Sequence, residues 1–428
     1  MKKLQAEEAR VLIIGSGGRE HAIGVELKSI NMVDEVFFLP GNGGTARLGE
    51  NISVSINDFE KILNVVKNYN IDLIVVGPEE PLANGIVDFF REKGVPIVGP
   101  TKAAAQIESS KIFARKLMNR AMIPGPIFNT ASCRAEVEEL IAELYEIPVV
   151  LKIDGLAAGK GAFVCKTEAE LEEALCVIYT EERFGTGPIL VEECLRGQEM
   201  SVFVLCSEDD YTILGTAQDY KRLLDGDEGP NTGGMGSIAP SPLIETHPDL
   251  MQKIEETIIK PILQAMKDNG APFTGFLYAG LMITDGEPSV IEFNCRLGDP
   301  ETQVILPLIK NNFFKLLWKA ANNLKLPTIK KSDLRAAAFV VKVAEGYPNA
   351  YEKGKEIIID EDVIAYLNCY IVHAGTKREG DKFFTNGGRV IGLLGLGDNL
   401  EEAVQETYKG IEAVKFPGEF YRKDIGKL

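Results

Sequence analysis

Two lysines flank a loop of small residues that follows an apolar strand. Lys152 lies in the apolar run 149–153, and the loop 155–161 follows with Lys160 near its end. The loop resembles a P-loop, but it is one residue short between its glycines and has Gly161 where a P-loop has Ser or Thr for magnesium. A Walker-type NTPase is therefore disfavoured. The segment predicts a flap that closes over a triphosphate, and a mobile hairpin with incidental lysines is the alternative.

Two carboxylates end a second apolar strand further along the chain. Residues 189–195 are apolar except for Glu192, Glu193 and Cys194. An acceptor oxygen between aliphatic side chains suits the amino group and ring of a purine. The segment is either the place where a purine base binds or the end of a surface strand, and its sequence leaves both open.

Glu292 and Asn294 are two residues apart in a strand, so their side chains lie on the same face. Two oxygen ligands on one face, completed by phosphate oxygens, are a usual way of holding magnesium. By spacing alone, a solvated polar edge is the commoner explanation. The next segment, 296–302, concentrates charged and turn residues where a core strand would end, and this favours the metal site.

Two further clusters have the composition of a ligand site. Residues 219–222 set two cations beside an acid, and residues 229–236 contain four glycines. Glycine at that density is typical of a loop that is either disordered or folded tightly around a ligand. The histidines have no metal-ligand spacing and are predicted to be structural: His21, His247 and His373.

The first two glycine turns of the chain differ in what they predict. Gly15, Gly17 and Gly18 begin as a dinucleotide-binding fingerprint would, but Glu20 stands at the position of its third glycine. An ordinary tight turn between a strand and a helix explains the pattern equally well. Residues 40–46 hold three glycines with Asn and Thr before a helix, and such a loop can present several backbone N–H groups to a phosphate.

The elements that position these residues predict an α/β fold. Apolar strands alternate with helical stretches in the first part of the chain: strands at 11–14, 36–39, 71–76 and 97–98, and helices at 57–69, 82–93 and 101–120. This alternation is typical of a parallel sheet that binds ligands beyond the carboxyl ends of its strands. From residue 127 the strands are longer, and Asp285-Gly286 joins an apparent hairpin. Residues 325–332 are predicted to be a linker to a small α+β unit.

The composition argues against several classes of protein. The chain has 46 Lys and Arg against 63 Asp and Glu, and the net charge of −17 opposes prolonged contact with nucleic acid or an anionic membrane. Seven scattered cysteines without a C-x-x-C pair argue against a disulfide framework or a cysteine zinc site. The first apolar run, 11–14, is too short for a signal peptide or a membrane span. We therefore expect a soluble, cytoplasmic protein without nucleic-acid or membrane partners.

A series of motifs along the chain resembles one family. The motifs are 15–21, 40–46, 77–79, 110–111, 152–161, 218–222, 229–236, 296–302, 346–348 and 373–376. In this order they are similar to the phosphoribosylamine–glycine ligases (glycinamide ribonucleotide synthetases), which are ATP-grasp enzymes. The resemblance implies a fold of four parts: an N-terminal Rossmann-like domain at 1–122, two ATP-grasp lobes at 123–188 and 189–327, and a C-terminal α+β domain at 328–428.

The same resemblance implies an activity. ATP, glycine and 5-phosphoribosylamine would give glycinamide ribonucleotide, ADP and phosphate through glycyl phosphate, as a step of purine biosynthesis. Magnesium or manganese would accompany ATP, and a monomer is expected.

The resemblance also implies roles for individual residues. ATP would be bound by Lys111, Lys152, Gly159, Lys160, Gly161, Glu192, Glu193, Leu195 and Glu199. The catalytic groups would be Lys152, Asp219, Lys221, Arg296 and Asp299. The other substrates would be bound by Gly17, Asn42, Gly43, Gly44, Thr45, Glu79, Asp219 and Arg296. The metal would be held by Glu292 and Asn294, and Glu301 could contribute.

The chain departs from the family pattern at three positions. Leu297 replaces the usual Phe, and Ile153 stands where Ala is common, but both keep apolar character. Tyr220 replaces the usual His between Asp219 and Lys221. Because a tyrosine does not titrate near neutral pH, no acid–base role is expected at this position.

Three other functions compete with this interpretation. Another ATP-grasp ligase would share the lobes but use a different acceptor, and the loops 40–46 and 296–302 argue against it. A nicotinamide-dependent oxidoreductase would use the N-terminal sheet, and Glu20 in the fingerprint argues against that. A non-catalytic regulator would bind ATP and yet release no ADP when glycine is present.

Overall fold

The computed structural model describes residues 8–144, 146–157, 161–183, 185, 187–333 and 335–427. Its first sheet is parallel and has the strand order β3-β2-β1-β4-β5. The strands are β1 (Ala9–Gly15), β2 (Val33–Pro40), β3 (Glu50–Asn51), β4 (Leu73–Val76) and β5 (Ile97–Val98). The apolar side chains of β1 and β4 are buried, as expected for a parallel sheet covered on both faces.

Helices cover this sheet, and one predicted helix is in fact two. The helices are α1 (Gly18–Lys28), α2 (Thr45–Leu48), α3 (Phe59–Asn68), α4 (Glu79–Ala83), α5 (Ile86–Glu92), α6 (Lys102–Ser109) and α7 (Lys111–Arg120). The stretch predicted as one helix at 101–120 divides at Ser110. Its backbone is extended there, and its hydroxyl accepts a hydrogen bond from the Phe113 N–H at 3.1 Å. Ser110 therefore begins a new helix as an N-cap.

The next unit is an antiparallel sheet with the order β6-β9-β7-β8. Its elements are β6 (Phe128–Ala131), α8 (Arg134–Leu144), β7 (Val149–Ile153), β8 (Ala162–Cys165), α9 (Glu168–Leu175) and β9 (Ile189–Glu193), with a π-helical turn at Cys176–Thr180. Its buried apolar residues form a cluster of their own, separate from the clusters of the rest of the described chain. We call this unit the small lobe.

A large antiparallel sheet forms the other side of the molecule, with the order β16-β15-β10-β11-β14-β17-β22-β19. The elements up to the predicted linker are β10 (Gln198–Ser207), β11 (Asp210–Asp219), β12 (Arg222–Leu224), β13 (Glu228–Asn231), β14 (Gly236–Ala239), α10 (Leu243–Thr246), α11 (Leu250–Ile254), α12 (Lys260–Asp268), β15 (Thr274–Thr284), β16 (Glu287–Asn294), α13 (Thr302–Ile305) and α14 (Phe313–Ala321). Between α11 and α12 lies a π-helical turn, Glu255–Ile259, and short 3-10 turns lie at Asp225–Asp227 and Leu306–Leu308.

The C-terminal part contributes to the same large sheet. Its elements are β17 (Ala336–Val343), β18 (Glu356–Ile359), α15 (Glu361–Ala365), β19 (Cys369–His373), β20 (Thr376–Glu379), β21 (Lys382–Thr385), β22 (Arg389–Gly397), α16 (Leu400–Ile411) and β23 (Val414–Lys415). β17 pairs with β14, so the large sheet continues across the boundary predicted at 327/328. The remaining strands form a second sheet with the order β20-β21-β18-β23. The domain boundaries from the sequence stay predictions.

The predicted hairpin is present as β15 and β16. Asp285 and Gly286 have φ values of 52° and 79°, as a two-residue turn that matches the twist of the strands requires. Within the described residues, the helices lack the combination of length and apolar character needed to cross a bilayer.

Candidate active site

A cleft of about 1950 Å³ lies between the small lobe, the large sheet and the N-terminal sheet. Most of the residues predicted to act on ligands line it: Gly17, Glu79, Lys111, Lys152, Gly161, Glu192, Glu193, Leu195, Glu199, Asp219, Lys221, Glu292, Asn294, Arg296 and Asp299. Gly159 and Lys160 lie outside the described residues. The cleft thus brings together side chains from segments that are far apart in the sequence.

Lys152 and Glu192 form a buried ion pair on the small lobe. Lys152 Nζ lies 2.8 Å from Glu192 Oε2 and also donates to the Ile291 carbonyl at 3.0 Å. Both lie on adjacent antiparallel strands, β7 and β9, where Val150 is the direct partner of Glu192. The predicted purine acceptor Glu192 is thus a partner of the predicted phosphate lysine.

Arg115, which the sequence did not predict as a site residue, completes this ion pair. Its Nε lies 2.5 Å from Glu192 Oε1 and its Nη2 lies 3.1 Å from Glu192 Oε2. The same guanidinium donates to the carbonyls of Val290 and Ile291 at 3.0 and 2.6 Å. Arg115 therefore joins α7, the small lobe and β16. A local signal was available, because Arg115 follows Lys111 by four residues and so shares its helix face.

Burial and neighbouring charges shift the pKa values of Lys152 and Glu192. Burial lowers the pKa of Lys152, although Glu192 attracts its proton. Burial alone would raise the pKa of Glu192, but Lys152 and Arg115 outweigh it and hold that pKa below its ordinary value. Glu192 is consequently ionised, and its two oxygens are occupied by cations.

The base of the predicted flap is fixed to the start of α7. Lys111 Nζ donates to the Gly155 carbonyl at 2.9 Å. Asp154 accepts from the Ile112 N–H and from the Ser110 hydroxyl, each at 3.1 Å. The position of Lys111 is therefore coupled to the loop that begins at residue 154.

Acidic residues of the large sheet surround Lys221 on the same side of the cleft. Lys221 Nζ lies 2.6 Å from Glu199 Oε2. Burial, opposed by Lys221, raises the pKa of Asp219 above its ordinary value. Burial, with Asp219 adding to it, raises the pKa of Glu301 to about 7. Burial would also raise the pKa of Glu292, but Lys221 and Lys152 hold it below its usual range. The cleft thus holds an ionised carboxylate, Glu292, and two carboxyls, Asp219 and Glu301, that stay protonated to a higher pH than ordinary carboxyls do.

Glu292 and Asn294 have the chemistry of a magnesium site completed by phosphate. Asn294 Nδ2 lies 3.2 Å from Glu292 Oε1, so both side chains lie together on β16 as predicted. Among the described residues, no group of three or more His, Cys, Asp or Glu side chains is arranged to hold a metal by itself. Magnesium is usually bound by one or two carboxylates together with substrate phosphates, and this donor pair fits that arrangement.

Arg296 is held between two carboxylates. Its Nε lies 3.2 Å from Glu79 Oε2, and its Nη2 lies 2.9 Å from Glu108 Oε1. Glu108, which the sequence did not predict as a site residue, also accepts from the Cys295 N–H at 2.7 Å. Burial would lower the pKa of Arg296, but Glu108 and Glu79 raise it. A charged guanidinium is therefore fixed at this end of the cleft.

Asp299 links the N-terminal sheet to the C-terminal part. It accepts from the Arg19 N–H at 3.1 Å and from Gln303 Nε2 at 2.9 Å. Arg389, on β22, lies 3.4 Å from the Asp299 carboxylate and donates to the Asp299 carbonyl at 2.7 Å. Burial would raise the pKa of Asp299, but Arg389 and Arg19 lower it. The sequence did not predict Arg389 as a site residue. Gly387 and Gly388 before it are a local pattern that could have pointed to it.

The first glycine turn is filled by the chain's own carboxylate. Glu20 Oε2 accepts from the Gly17 N–H at 2.5 Å, and Glu20 Oε1 lies 2.6 Å from Arg19 Nε. A Cβ at Gly77 would collide with Glu20, which shows how closely this side chain fills the turn. The space beside the helix N-terminus that a dinucleotide phosphate would need is occupied.

The second glycine turn does not offer the free N–H groups that its sequence suggested. The N–H groups of Gly44 and Thr45 donate to Asn42 Oδ1 at 2.9 and 3.0 Å, and the Gly43 N–H donates to the Thr376 carbonyl at 2.9 Å. These donors are used within the protein, because Asn42 Oδ1 accepts at the start of α2 and the C-terminal part packs against the loop. The four residues 42–45 are not among those that line the cleft. Their assignment to a substrate stays a prediction.

The small antiparallel lobe faces the large sheet across a cleft that holds lysines and acidic residues. This arrangement is that of an ATP-grasp enzyme. The chain belongs to the phosphoribosylglycinamide synthetase family, because it matches the family models for the N domain at 9–108, the ATP-grasp (A) domain at 109–302 and the C domain at 337–428. It is an ATP-dependent ligase by this membership. The resemblance and the fold class predicted from the sequence are confirmed.

Individual relatives agree with this assignment. The phosphoribosylamine–glycine ligase of Chlorobaculum tepidum is 43% identical over 423 residues, which cover 97% of this chain and 99% of that protein. The crystal structure of the phosphoribosylamine–glycine ligase of Thermotoga maritima has a TM-score of 0.85 at 38% identity, and covers 97% of this chain and 100% of that one. The biotin carboxylase domain of the Hydrogenobacter thermophilus 2-oxoglutarate carboxylase shares the fold, with a TM-score of 0.72 at 18% identity and coverage of 96% and 91%.

Proposed function

We propose that this protein joins glycine to 5-phosphoribosylamine at the expense of ATP, giving glycinamide ribonucleotide, ADP and phosphate in purine biosynthesis. The observation that supports this most is the single cleft, where Lys152 and Glu192 of the small lobe face Glu292 and Asn294 of the large sheet. The relatives that carry the same three domains are named for this ligation. The family membership favours it over a nicotinamide-dependent oxidoreductase.

The reaction proceeds in two displacements. A carboxylate oxygen of glycine attacks the γ-phosphorus of ATP, and ADP leaves, which gives glycyl phosphate. The amine of phosphoribosylamine then attacks the carbonyl carbon, phosphate leaves with that oxygen, and the amine gives up a proton. Because the leaving group is made from ATP, the protein needs no covalent nucleophile. Its task is to position the reactants and to stabilise the charge on the transferred group.

We assign the residues of the cleft to these steps. Lys111 and Lys152 bind the phosphates of ATP, and the loop 155–161 closes over them. Arg296, fixed by Glu79 and Glu108, binds the glycine carboxylate. Asp219, whose pKa burial raises, takes the proton of the attacking amine. A raised carboxyl pKa brings a base closer to the pH at which it works.

We further propose that Mg²⁺ or Mn²⁺ binds to Glu292 and Asn294 together with the phosphates of ATP. When bound, the ion neutralises charge on the transferred phosphoryl group. Glu292 suits this role because neighbouring lysines keep it ionised. Asn294 stands on the same face of β16 and adds a neutral oxygen.

We also propose a cytoplasmic monomer. All seven cysteines lie within the described residues and are free, as a reducing compartment would keep them. The side chains assigned to the reaction all come from one chain, so one copy is sufficient for the site.

The proposed function is tested by coupled ADP release. The purified protein is supplied with ATP, Mg²⁺ and phosphoribosylamine generated in situ, with and without glycine, and product is identified by mass spectrometry. ADP release that needs both glycine and phosphoribosylamine is expected. ADP release is also measured with a panel of other amines and carboxylates. Faster release with another pair would identify a different ATP-grasp ligase. ATP binding without ADP release on any combination would contradict the proposal.

A further inference from the structure

The last residues of the chain clasp a hairpin that borders the cleft. The hairpin consists of β12, β13 and the turn Asp225–Asp227 between them. The Gly226 N–H donates to Asp424 Oδ2 at 2.8 Å, and the Lys423 N–H donates to Asp225 Oδ1 at 2.8 Å. The backbone and side chains of the two segments thus bind each other reciprocally, although the residues are 198 positions apart.

Arg422 is the centre of this contact and is only 1% exposed. It forms a two-pronged ion pair with Asp424 at 2.8 and 2.7 Å. Its Nη1 also lies 2.7 Å from Asp227 Oδ1 and donates to the Arg222 carbonyl at 3.1 Å. A buried cation is tolerated only when it is paired and hydrogen-bonded, and here the hairpin supplies part of that pairing. The hairpin and residues 421–427, which we call the C-terminal segment, are therefore fixed to one another.

Tyr220 extends the contact to two residues of the proposed active site. The Gly426 N–H donates to the Tyr220 hydroxyl at 3.0 Å, and the Arg422 guanidinium lies 5.1 Å from the centre of the Tyr220 ring. Tyr220 stands between Asp219 and Lys221 in an extended run, in which alternate side chains point to opposite faces. Lys221 pairs with Glu199 in the lining of the cleft, whereas Tyr220 binds the C-terminal segment.

The backbone of Tyr220 is also fixed. Its N–H donates to the Gly236 carbonyl at 3.0 Å, and its carbonyl accepts from the Met235 N–H at 2.8 Å. The backbone beside Asp219 and Lys221 therefore belongs to a paired strand edge rather than to a free loop.

We infer that the C-terminal segment is a positioning element for Asp219 and Lys221, and that Tyr220 is the positioning residue through which it acts. This inference rests on the proposed function, since it assigns Asp219 and Lys221 to the reacting groups. Tyr220 itself lines the cleft, its hydroxyl and ring contact the C-terminal segment, and its backbone carries Asp219 on one side and Lys221 on the other. Small displacements of catalytic groups have large effects on rate. We therefore expect loss of the Tyr220 contact to lower kcat more than it lowers the free energy of unfolding.

The test compares variants of the full chain. Tyr220→Phe removes the hydroxyl that binds Gly426 and keeps the ring. Asp424→Asn weakens the pairing of Arg422 from the other side. The matched control is Tyr421→Phe, since the Tyr421 hydroxyl belongs to the same C-terminal segment but donates to Glu412 within the C-terminal part.

We expect Tyr220→Phe to lower kcat about tenfold with the KM for ATP unchanged. Asp424→Asn should act in the same direction, and Tyr421→Phe should retain wild-type kcat. The pH profile should keep its shape in Tyr220→Phe, because burial raises the pKa of Tyr220 and the phenol does not titrate in the working range. Amide hydrogen exchange of residues 222–231 should be faster in Tyr220→Phe than in Tyr421→Phe.

Two results would overturn the inference. One is wild-type kcat in both Tyr220→Phe and Asp424→Asn. The other is a loss of activity that merely follows a loss of folded protein, with KM and kcat per folded molecule unchanged. If the wild-type protein releases no glycine-dependent ADP, the proposed function fails, and hydrogen exchange of the hairpin still decides whether the C-terminal segment holds it.

Discussion

Lys152 Nζ lies 2.8 Å from Glu192 Oε2, which fixes a cation of the small lobe at the cleft. The pair is buried, with 9% and 2% of the two side chains exposed. A charge that is already desolvated and aimed into the cleft needs little reorganisation when a triphosphate arrives. Arg115 supports the arrangement from the other side of Glu192.

Replacing Lys152 with Ala should abolish glycine-dependent ADP release. The change removes the proposed phosphate contact and leaves Glu192 with Arg115 alone. We expect kcat/KM for ATP to fall at least ~100-fold. Lys116→Ala is the matched control, because Lys116 is exposed on α7. Near-normal turnover in Lys152→Ala would count against the assignment of Lys152 to ATP.

Replacing Arg115 with Met should destabilise the protein as well as inactivate it. The guanidinium donates to both oxygens of the buried Glu192 carboxylate and to two carbonyls of β16. Met donates no hydrogen bond, so Glu192 would keep Lys152 as its remaining cation. Breaking a buried ion pair in this way costs roughly 3 kcal/mol in the free energy of unfolding. Urea denaturation of Arg115→Met and of the exposed control Lys116→Met measures it. Equal stability of the two variants would show that Arg115 is not needed for the ion pair.

The sequence predicted those site residues that lie in local patterns. Lys152 stands beside a glycine-rich loop, Glu192 ends a strand, and Glu292 shares a strand face with Asn294, and the structure places all four side chains at one cleft. Their roles towards ATP and metal stay predictions. Arg115, Glu108 and Arg389 were missed. Their contacts join residues that are 77 to 187 positions apart, and no spacing in the sequence encodes such a distance.

The same distinction holds for the fold. The parallel strands β1, β2, β4 and β5 and the hairpin of β15 and β16 follow from apolar runs and turn residues. The pairing of β14 with β17, which carries the large sheet into the C-terminal part, does not. β14 begins at Gly236, the last residue of the glycine-rich stretch 229–236 that the sequence predicted to be a loop. The N–H groups of residues 43–45 donate to the Thr376 carbonyl and to Asn42 Oδ1. The sequence does not reveal these acceptors either.

His21 should make the protein sensitive to mild acid. Burial lowers its pKa to about 4, and its ring centre lies 5.5 Å from that of the buried His373. The unfolded chain takes up this proton below about pH 6.5 and the folded chain does not, so folding stability is present at higher pH and is lost as the pH falls from 6.5 towards 4.

Replacing His21 with Gln removes this contribution. Between pH 7 and pH 5 the variant should lose about 2 kcal/mol less of its free energy of unfolding than the wild-type protein. Urea denaturation at the two pH values gives the difference. An equal loss in both proteins would show that His21 takes up its proton equally in the folded and unfolded chains.

Replacing Glu292 with Gln should raise the Mg²⁺ concentration needed for half-maximal activity. Gln keeps one amide oxygen but removes the negative charge of Glu292, and a neutral donor should weaken binding of the metal by roughly tenfold or more. Glu287→Gln is the matched control, because Glu287 lies on the same strand and pairs with Lys253 at the surface. Metal titrations of the two variants should therefore diverge. Identical titrations would exclude Glu292 as a ligand of the ion.

The central claim is that ATP activates the carboxylate of glycine in this cleft, and the fate of one oxygen atom tests it most directly. Glycine labelled with ¹⁸O in its carboxylate is incubated with the protein, ATP, Mg²⁺ and phosphoribosylamine, and the phosphate released is analysed by mass spectrometry. The two displacements predict that each phosphate carries one oxygen from glycine. Phosphate without the label would show that water attacked ATP instead, and would contradict the account.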